Sequence, residues 1–351
     1  MLALFENYSL LREKLPYVSL GEFPTPVEKL ERLGQAINAP HLYAKREDLS
    51  GKLYGGNKVR ALEFLLGDAL RAGRKQVMAL GFPASCQALA QAIYARQLGI
   101  KSLAILFPQF SSEQGRRHLL MYQSIGADVH TLGVPALLRL IKYRLQHGHF
   151  PKFLEASSPL GMAGYVNAGF ELKEQIERGL LPEPDLVYVA LATMGTAVGL
   201  ALGFKAAGLK SRLVSVHLGN PRATPRNMAK LFRETNELLR SHDPSFPKFE
   251  VSENDFDVRH GFERPKRKLL NDAGARAMAQ VKELANLQLD EMFTANAFAA
   301  LIADADKGLL RDKTILWWNS YSSRDFSDQI AMADYHQLPK AFHHYFEQII
   351  R

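Results

Sequence analysis

The run Lys45-Arg46-Glu47-Asp48-Leu49-Ser50-Gly51, followed closely by Gly55-Gly56-Asn57-Lys58-Val59-Arg60, places a lysine just behind a glycine pair. Two glycines let the backbone approach a ligand at φ/ψ values other residues resist. A helical pattern begins at once, with Val59, Leu62, Leu65, Leu66, Ala69 and Leu70 on one face. Lys58 therefore falls in a first helical turn, where the helix dipole disfavours a cation and lowers the pKa. A lysine that must be neutral to attack a carbonyl suits that position. A solvated lysine is the commoner use of the residue, so the motif has to be read with the rest of the chain.

With 351 residues, 47% of them hydrophobic, the chain can build one large core or two domains. Its one cysteine, Cys86, excludes an internal disulfide and points to a reducing compartment. Met1 to Leu20 lacks the basic-then-apolar order of a signal peptide, and no run of about 18 apolar residues could span a bilayer. The expectation is a cytoplasmic protein with no membrane partner. The net charge of +8 raises nucleic acid as a partner. Basic residues are nevertheless spread widely, with one cluster at Arg259, Arg264, Lys266, Arg267 and Lys268, and no helix-turn-helix or zinc-finger spacing accompanies them. They read as solvated surface, so no nucleic acid is expected.

From Gln76 a rhythm sets in. Apolar runs at Gln76 to Leu80, Ser102 to Phe107, Ala127 to Leu132 and Lys152 to Glu155 alternate with helical patterns at Gln87 to Leu98, Ser112 to Ser124 and Pro135 to His147. Such alternation implies right-handed crossovers and a parallel sheet covered on both faces. A second series follows: helix from Gly164 to Arg178, strand from Asp185 to Leu191, helix from Gly195 to Ala207, strand from Arg212 to Leu218, helix from Thr224 to Leu239. Ser241 to Arg259 reads as the longest weakly structured stretch. Helices are expected over Lys268 to Ala285, Thr294 to Ala305 and Pro339 to Ile350, and a strand over Lys313 to Trp318.

Pro24-Thr25-Pro26, Lys45-Arg46-Glu47-Asp48 and Gly55-Gly56-Asn57-Lys58-Val59-Arg60 together resemble the amino end of the fold-type II pyridoxal-phosphate (PLP) enzymes. The branch most similar contains 1-aminocyclopropane-1-carboxylate deaminase and D-cysteine desulfhydrase, and the resemblance runs from about Leu20 to Asn319. It implies an α/β fold of two domains, each a mainly parallel sheet flanked by helices. Residues 1–54 and 160–351 would form a larger discontinuous cofactor domain, and 55–159 a smaller one. It also implies a homodimer, PLP as cofactor, a small amino acid as substrate, and Lys58 as the Schiff-base lysine, flanked by Asn57.

Thr193-Met194-Gly195-Thr196 follows an expected strand and opens a helix, so backbone N–H groups and hydroxyls point at one spot. This looks like the family's phosphate loop, although Ala192 and Met194 stand where the family usually has glycine. Ser85-Cys86-Gln87 aligns with a family Ser-Asn-His segment. The resemblance gives Ser85 contacts to the substrate carboxylate or the lysine; an N-cap for the following helix is equally compatible. Cys86 replaces the asparagine set against the PLP ring hydroxyl and reads as a small buried hydrophobe. Gln87 stands at the histidine position.

Phe262 and Phe293, aligned with substrate-side family tyrosines, lack the phenol that could move a proton. Ser320, in Asn319-Ser320-Tyr321-Ser322, could keep a hydroxyl contact to the pyridine nitrogen. These departures favour β-elimination or deamination, D-cysteine desulfhydrase-like, over cyclopropane opening; a PLP-binding protein with little catalysis is the alternative. His147 and His149, or His343 and His344, lack zinc-ligand spacing, and no metal is expected. No nucleophile elbow, P-loop or dinucleotide fingerprint is present.

Overall fold

In the computed structural model, which describes residues 1–351 apart from 264, 266–269 and 349–351, ten strands form two sheets among the described residues. In chain order they are β1 (Val27–Lys29), β2 (Leu42–Lys45), β3 (Gln76–Gly81), β4 (Lys101–Leu106), β5 (Asp128–Thr131), β6 (Lys152–Phe153), β7 (Leu186–Leu191), β8 (Arg212–His217), β9 (Asp257–Arg259) and β10 (Ile315–Trp318). One sheet has the order β1-β2-β10-β7-β8-β9, parallel except for the antiparallel edge strand β1. The other, β5-β4-β3-β6, is parallel throughout. Helices cross between consecutive parallel strands, as parallel pairing requires.

The chain divides into two compact units, Met1–Phe64 with Ala156–Ser323, and Leu65–Glu155 with Arg324–Arg351. The first holds β1, β2 and β7 to β10. Its core joins Leu42, Ala44, Tyr188, Val216, Phe298 and Trp317, the last two packed edge-to-face at 5.1 Å. The second holds β3 to β6, with Leu103, Ile105 and Ala136 in its interior. The segment after Ser323 belongs to the second unit, whereas the family pattern assigned it to the larger domain. Arg117 pairs with Asp325 at 2.6 Å, and Gln109 N–H donates to the Tyr345 hydroxyl at 2.9 Å.

Several expected elements change form. The closing helix expected over Pro339 to Ile350 is a 3₁₀ turn, Lys340–Phe342, and one short turn, His344–Glu347; its last residues lie outside those described. Bonds from Phe342 to Pro339 and from Phe346 to His343 tighten the backbone into i→i−3 geometry, while Tyr335 stacks on His336 and Phe346. The stretch read as weakly structured supplies β9, which pairs with β8 at the sheet edge. Arg259 pairs with Asp304 at 2.6 Å; the other members of its basic cluster, Arg264 and Lys266 to Lys268, lie outside the described residues. The helix expected from Lys268 begins, within the described residues, at Asp272.

The Lys58 helix spans Lys58–Arg71. Val59, Leu62, Leu65, Leu66 and Ala69 are buried as expected, but Leu70 is exposed, and Arg60 and Glu63 are buried too. Polar residues are tolerated inside only when their hydrogen bonds are met. Glu63 accepts from the N–H groups of Leu20 at 2.9 Å and Gly21 at 3.0 Å, tying the amino-terminal segment to this helix.

Burial raises the Glu63 carboxyl to about 7, outweighing those N–H bonds and Arg60. In the unfolded chain it titrates near ~4.3. Between these values the folded protein holds the extra proton, so this contribution to stability is complete below the lower value and is lost as pH rises through the higher. Glu63→Gln removes the titration. Urea unfolding at pH 5 and pH 8 should therefore show wild type losing roughly 2 kcal/mol more than Glu63→Gln across that interval. A pH-independent difference between the two proteins would contradict this.

Candidate active site

The glycine pair is required by its surroundings. A Cβ on Gly55 would lie 1.9 Å from the Asp48 carbonyl oxygen, and Gly56 has φ +92, a conformation L side chains resist. Gly56 N–H donates to Glu47 O at 2.8 Å, Ser50 Oγ donates to Gly56 O at 2.8 Å, and Gly55 N–H donates to Ser322 Oγ at 3.0 Å. The turn delivers Lys58 as the first residue of its helix.

Two lysines of the motif can now be told apart. Lys45 is wholly buried, and its ammonium donates to Thr25 O at 2.7 Å, Glu171 Oε1 at 2.5 Å and Gln175 Oε1 at 2.7 Å. An ammonium has three donors, and all three are used. Burial lowers its pKa, while Glu171 and Glu47 oppose that fall. Lys45 is therefore a structural cation, and Lys58 is the candidate for covalent chemistry.

Asn57 connects Lys58 to the second motif. Its Nδ2 donates to Thr196 Oγ1 at 2.6 Å, and its backbone N–H donates to Ser320 O at 3.2 Å. Lys58, Asn57, Thr196 and Ser320, drawn from three distant stretches, are thus brought together in the first unit. Thr196 lies in the first turn of the helix Gly195–Ala207, behind β7; Thr193 is exposed and Met194 half-buried. A Cβ on Gly195 would lie 3.0 Å from both Ala156 O and Ser157 Oγ, so the turn passes hard against residues the sequence reading did not single out.

Phe262 and Phe293 are partly buried and pack on the core that holds Trp317. The Arg259 guanidinium sits 5.8 Å from the Phe262 ring centre. Asp290 accepts from the N–H groups of Met292, Phe293 and Thr294 and fixes the start of the helix Thr294–Asp306. Asn319 was also overlooked. It is wholly buried one position past β10, its N–H donates to Lys45 O at 3.0 Å, and neither side-chain amide atom has a hydrogen-bond partner among the described residues. A buried primary amide left unpaired is costly, and a polar ligand can satisfy it. No linear pattern marks such a residue.

In the second unit Ser85 caps the helix Cys86–Gln97, accepting from Ala88 N–H at 3.3 Å. Cys86 is half-buried, which corrects the expectation of a buried hydrophobe, and its sulfur accepts from Gln114 Nε2 at 3.5 Å. The amide atoms of Gln87 are buried without partners among the described residues.

These features fit PLP. An amine opens a helix, a tight turn with helix N–H groups and a hydroxyl can take a phosphate, and an unpaired buried amide stands beside Ser320. The description Pyridoxal-phosphate dependent enzyme matches residues 18–320, and the chain belongs to that family. It is an enzyme with PLP as cofactor. Among its relatives, the 1-aminocyclopropane-1-carboxylate deaminase of Burkholderia ambifaria is 28% identical over 302 residues, 81% of this chain and 87% of the relative. The nocardicin C-9' epimerase of Nocardia uniformis subsp. tsuyamanensis is 30% identical over 326 residues, 89% of this chain and 94% of the relative. A crystal structure of an ACC deaminase homologue superposes with a TM-score of 0.73 at 27% identity, covering 92% of this chain and 97% of the other.

Met194 holds φ +70, which an L side chain adopts at a cost of about 1–2 kcal/mol. Met194→Gly should relieve that strain and, after the entropy glycine loses, gain about 0.5 kcal/mol of stability. Met194→Ala, which removes bulk but keeps the Cβ, should be no more stable than wild type. Denaturant midpoints of the three proteins check this; a destabilised Met194→Gly contradicts it.

Proposed function

We propose that the protein is a PLP-dependent lyase or deaminase of a small amino acid, acting by β-elimination or deamination and D-cysteine desulfhydrase-like in preference to cyclopropane opening. The observation that carries this reading is the placement of Lys58 behind the Gly55–Gly56 turn with Asn57 bonded to Thr196 at 2.6 Å.

When bound, PLP supplies the electron sink that makes the α-proton of an amino acid removable. The rest falls to the protein. Lys58 Nζ would hold the cofactor covalently and, as a free amine, would accept and return the α-proton. Thr196 Oγ1 and the N–H groups at Gly195 and Thr196 bind the phosphate, with Thr193 and the Met194 turn beside them. Asn57 orients Thr196. Asn319 and Ser320 offer an amide and a hydroxyl to the ring edge, and Ser85 serves the substrate carboxylate, with Cys86 and Gln87 next to it. Phe262 and Phe293 exclude water and move no proton. That absence disfavours a reaction needing a phenol to protonate an opening ring. In this reading the protein works as a homodimer in the cytoplasm. No described helix is long and apolar enough to cross a membrane.

A second reading, inversion at the α-carbon, is favoured by the relative named as an epimerase. One screen addresses both. D- and L-amino acids are offered to wild type and Lys58→Ala, with ammonia, keto acid and α-proton exchange followed together. Ammonia and keto acid from D-cysteine well above those from 1-aminocyclopropane-1-carboxylate, abolished in Lys58→Ala, are expected. Exchange with inversion and no ammonia selects the second reading. Comparable turnover of the cyclopropane substrate overturns the role given to Phe262 and Phe293.

A further inference from the structure

His217 ends β8, and His260 directly follows β9. The register pairing Val216 with Arg259 continues to set the two histidines side by side, ring centres 4.9 Å apart. Glu263 Oε1 lies 3.3 Å from His217 Nδ1 and 3.2 Å from His260 Nδ1. Its other oxygen accepts from Gly261 N–H at 3.0 Å.

The neighbours of His217 orient its ring. Nε2 lies 2.9 Å from the carbonyl oxygen of Asn220, which can only accept, so Nε2 carries the proton. Gly219 N–H lies 3.4 Å from Nδ1, a contact that an unprotonated Nδ1 accepts. An unprotonated Nδ1 would face a carboxylate oxygen, which is also an acceptor. Either a proton on Nδ1 or a metal cation between the two atoms reconciles that 3.3 Å contact. An imidazole that gives its outer N–H to a backbone carbonyl while turning its other nitrogen inward is the usual disposition of a metal ligand.

We propose that His217 Nδ1, His260 Nδ1 and Glu263 form a binding site for a divalent d-block cation of the zinc or cobalt class. Metal–ligand distances of about 2.0–2.2 Å at tetrahedral angles put neighbouring ligand atoms roughly 3.4 Å apart. The two separations from Glu263 match that edge, and ligand atoms of the three residues all lie within 4.8 Å of one another. Two imidazoles and one carboxylate suit Zn²⁺ and Co²⁺ over Mg²⁺ or Ca²⁺. His260 is 63% exposed, which leaves an entry path and an open fourth position for water. The cation would clamp the ends of β8 and β9 and hold the segment carrying Phe262. Asn220, whose carbonyl orients His217, also donates to Ala192 O at 2.6 Å, so occupancy is felt at the turn before Gly195. The site stands on its own residues and does not depend on the substrate reading.

Purified holoenzyme is stripped with EDTA, then equilibrated with Co²⁺; bound metal and ligand-field absorption are measured. One equivalent is expected in wild type, with affinity reduced about tenfold or more in His260→Ala and in Glu263→Gln. His343→Ala, in a separate histidine pair, should bind as wild type does. Far-UV circular dichroism without metal should be the same for all four proteins, so that lost binding is not lost folding. Absence of stoichiometric Co²⁺, or equal binding by His260→Ala and wild type, overturns the proposal and leaves the cluster a proton-bridged ion pair.

Discussion

Four charged side chains with no access to water hold the first unit together. Arg60 Nε and Nη2 donate to the two oxygens of Glu47 at 2.6 and 2.7 Å, and its Nη1 and Nη2 to those of Glu171 at 2.9 Å each. Lys45 shares Glu171, and Thr25 donates its hydroxyl to Glu47 at 2.7 Å and its N–H to Glu171 at 2.9 Å. The group contains two cations and two carboxylates, so its formal charge is zero. Burial alone would raise the Glu171 pKa, but Arg60 and Lys45 hold it well below the carboxylate range. Arg60 is likewise pushed up by Glu171 and Glu47 against the opposing effect of burial. Such a network need not add stability over an apolar core, but removing one member strands a buried charge and costs about 3–5 kcal/mol. Its value here is geometric: it admits one arrangement of the strand, turn and helices that carry it.

The chemistry is downstream of that arrangement. Arg60 is two residues past Lys58, and Glu47 also receives the N–H of Gly56, so the network grips both sides of the turn that presents the lysine. Lys45 is consumed by the same network. Of the two lysines of the motif, Lys58 is thereby kept at a helix start, next to Asn57 and its partner Thr196. Met194 shows the other side of this constraint. Its backbone is held at positive φ although glycine is absent, because Gly195 is wedged against Ala156 and Ser157 and the turn has no other course.

Much of this was legible in the residues. The βα rhythm from Gln76 placed β3, β4, β5, β7 and β8 within a residue or two, because buried parallel strands are short apolar runs bounded by turn residues. The strands β1 and β9 were not legible, since three-residue edge strands carry no period. The terminal Pro339 segment has helical composition yet breaks into a 3₁₀ turn and one short α-helical turn, with Tyr335 stacked on Phe346. Lys58, Asn57, Thr196 and Ser320, which the fold brings together, were singled out through motifs. Asn319, Ser157 and the His217–His260–Glu263 cluster were not, because each depends on neighbours supplied by strand register and not by sequence spacing. Arg60 and Glu171, 111 residues apart, could be paired only by the fold.

The central claim is that the buried charge network selects Lys58 as the cofactor lysine. Borohydride fixation of the PLP-loaded protein, followed by peptide mapping, tests it directly in wild type and Arg60→Met. The account predicts label on Lys58 in wild type, strongly reduced occupancy there in Arg60→Met, and no label on Lys45 in wild type. Label spread over surface lysines in wild type, or undiminished Lys58 labelling in Arg60→Met, would contradict it.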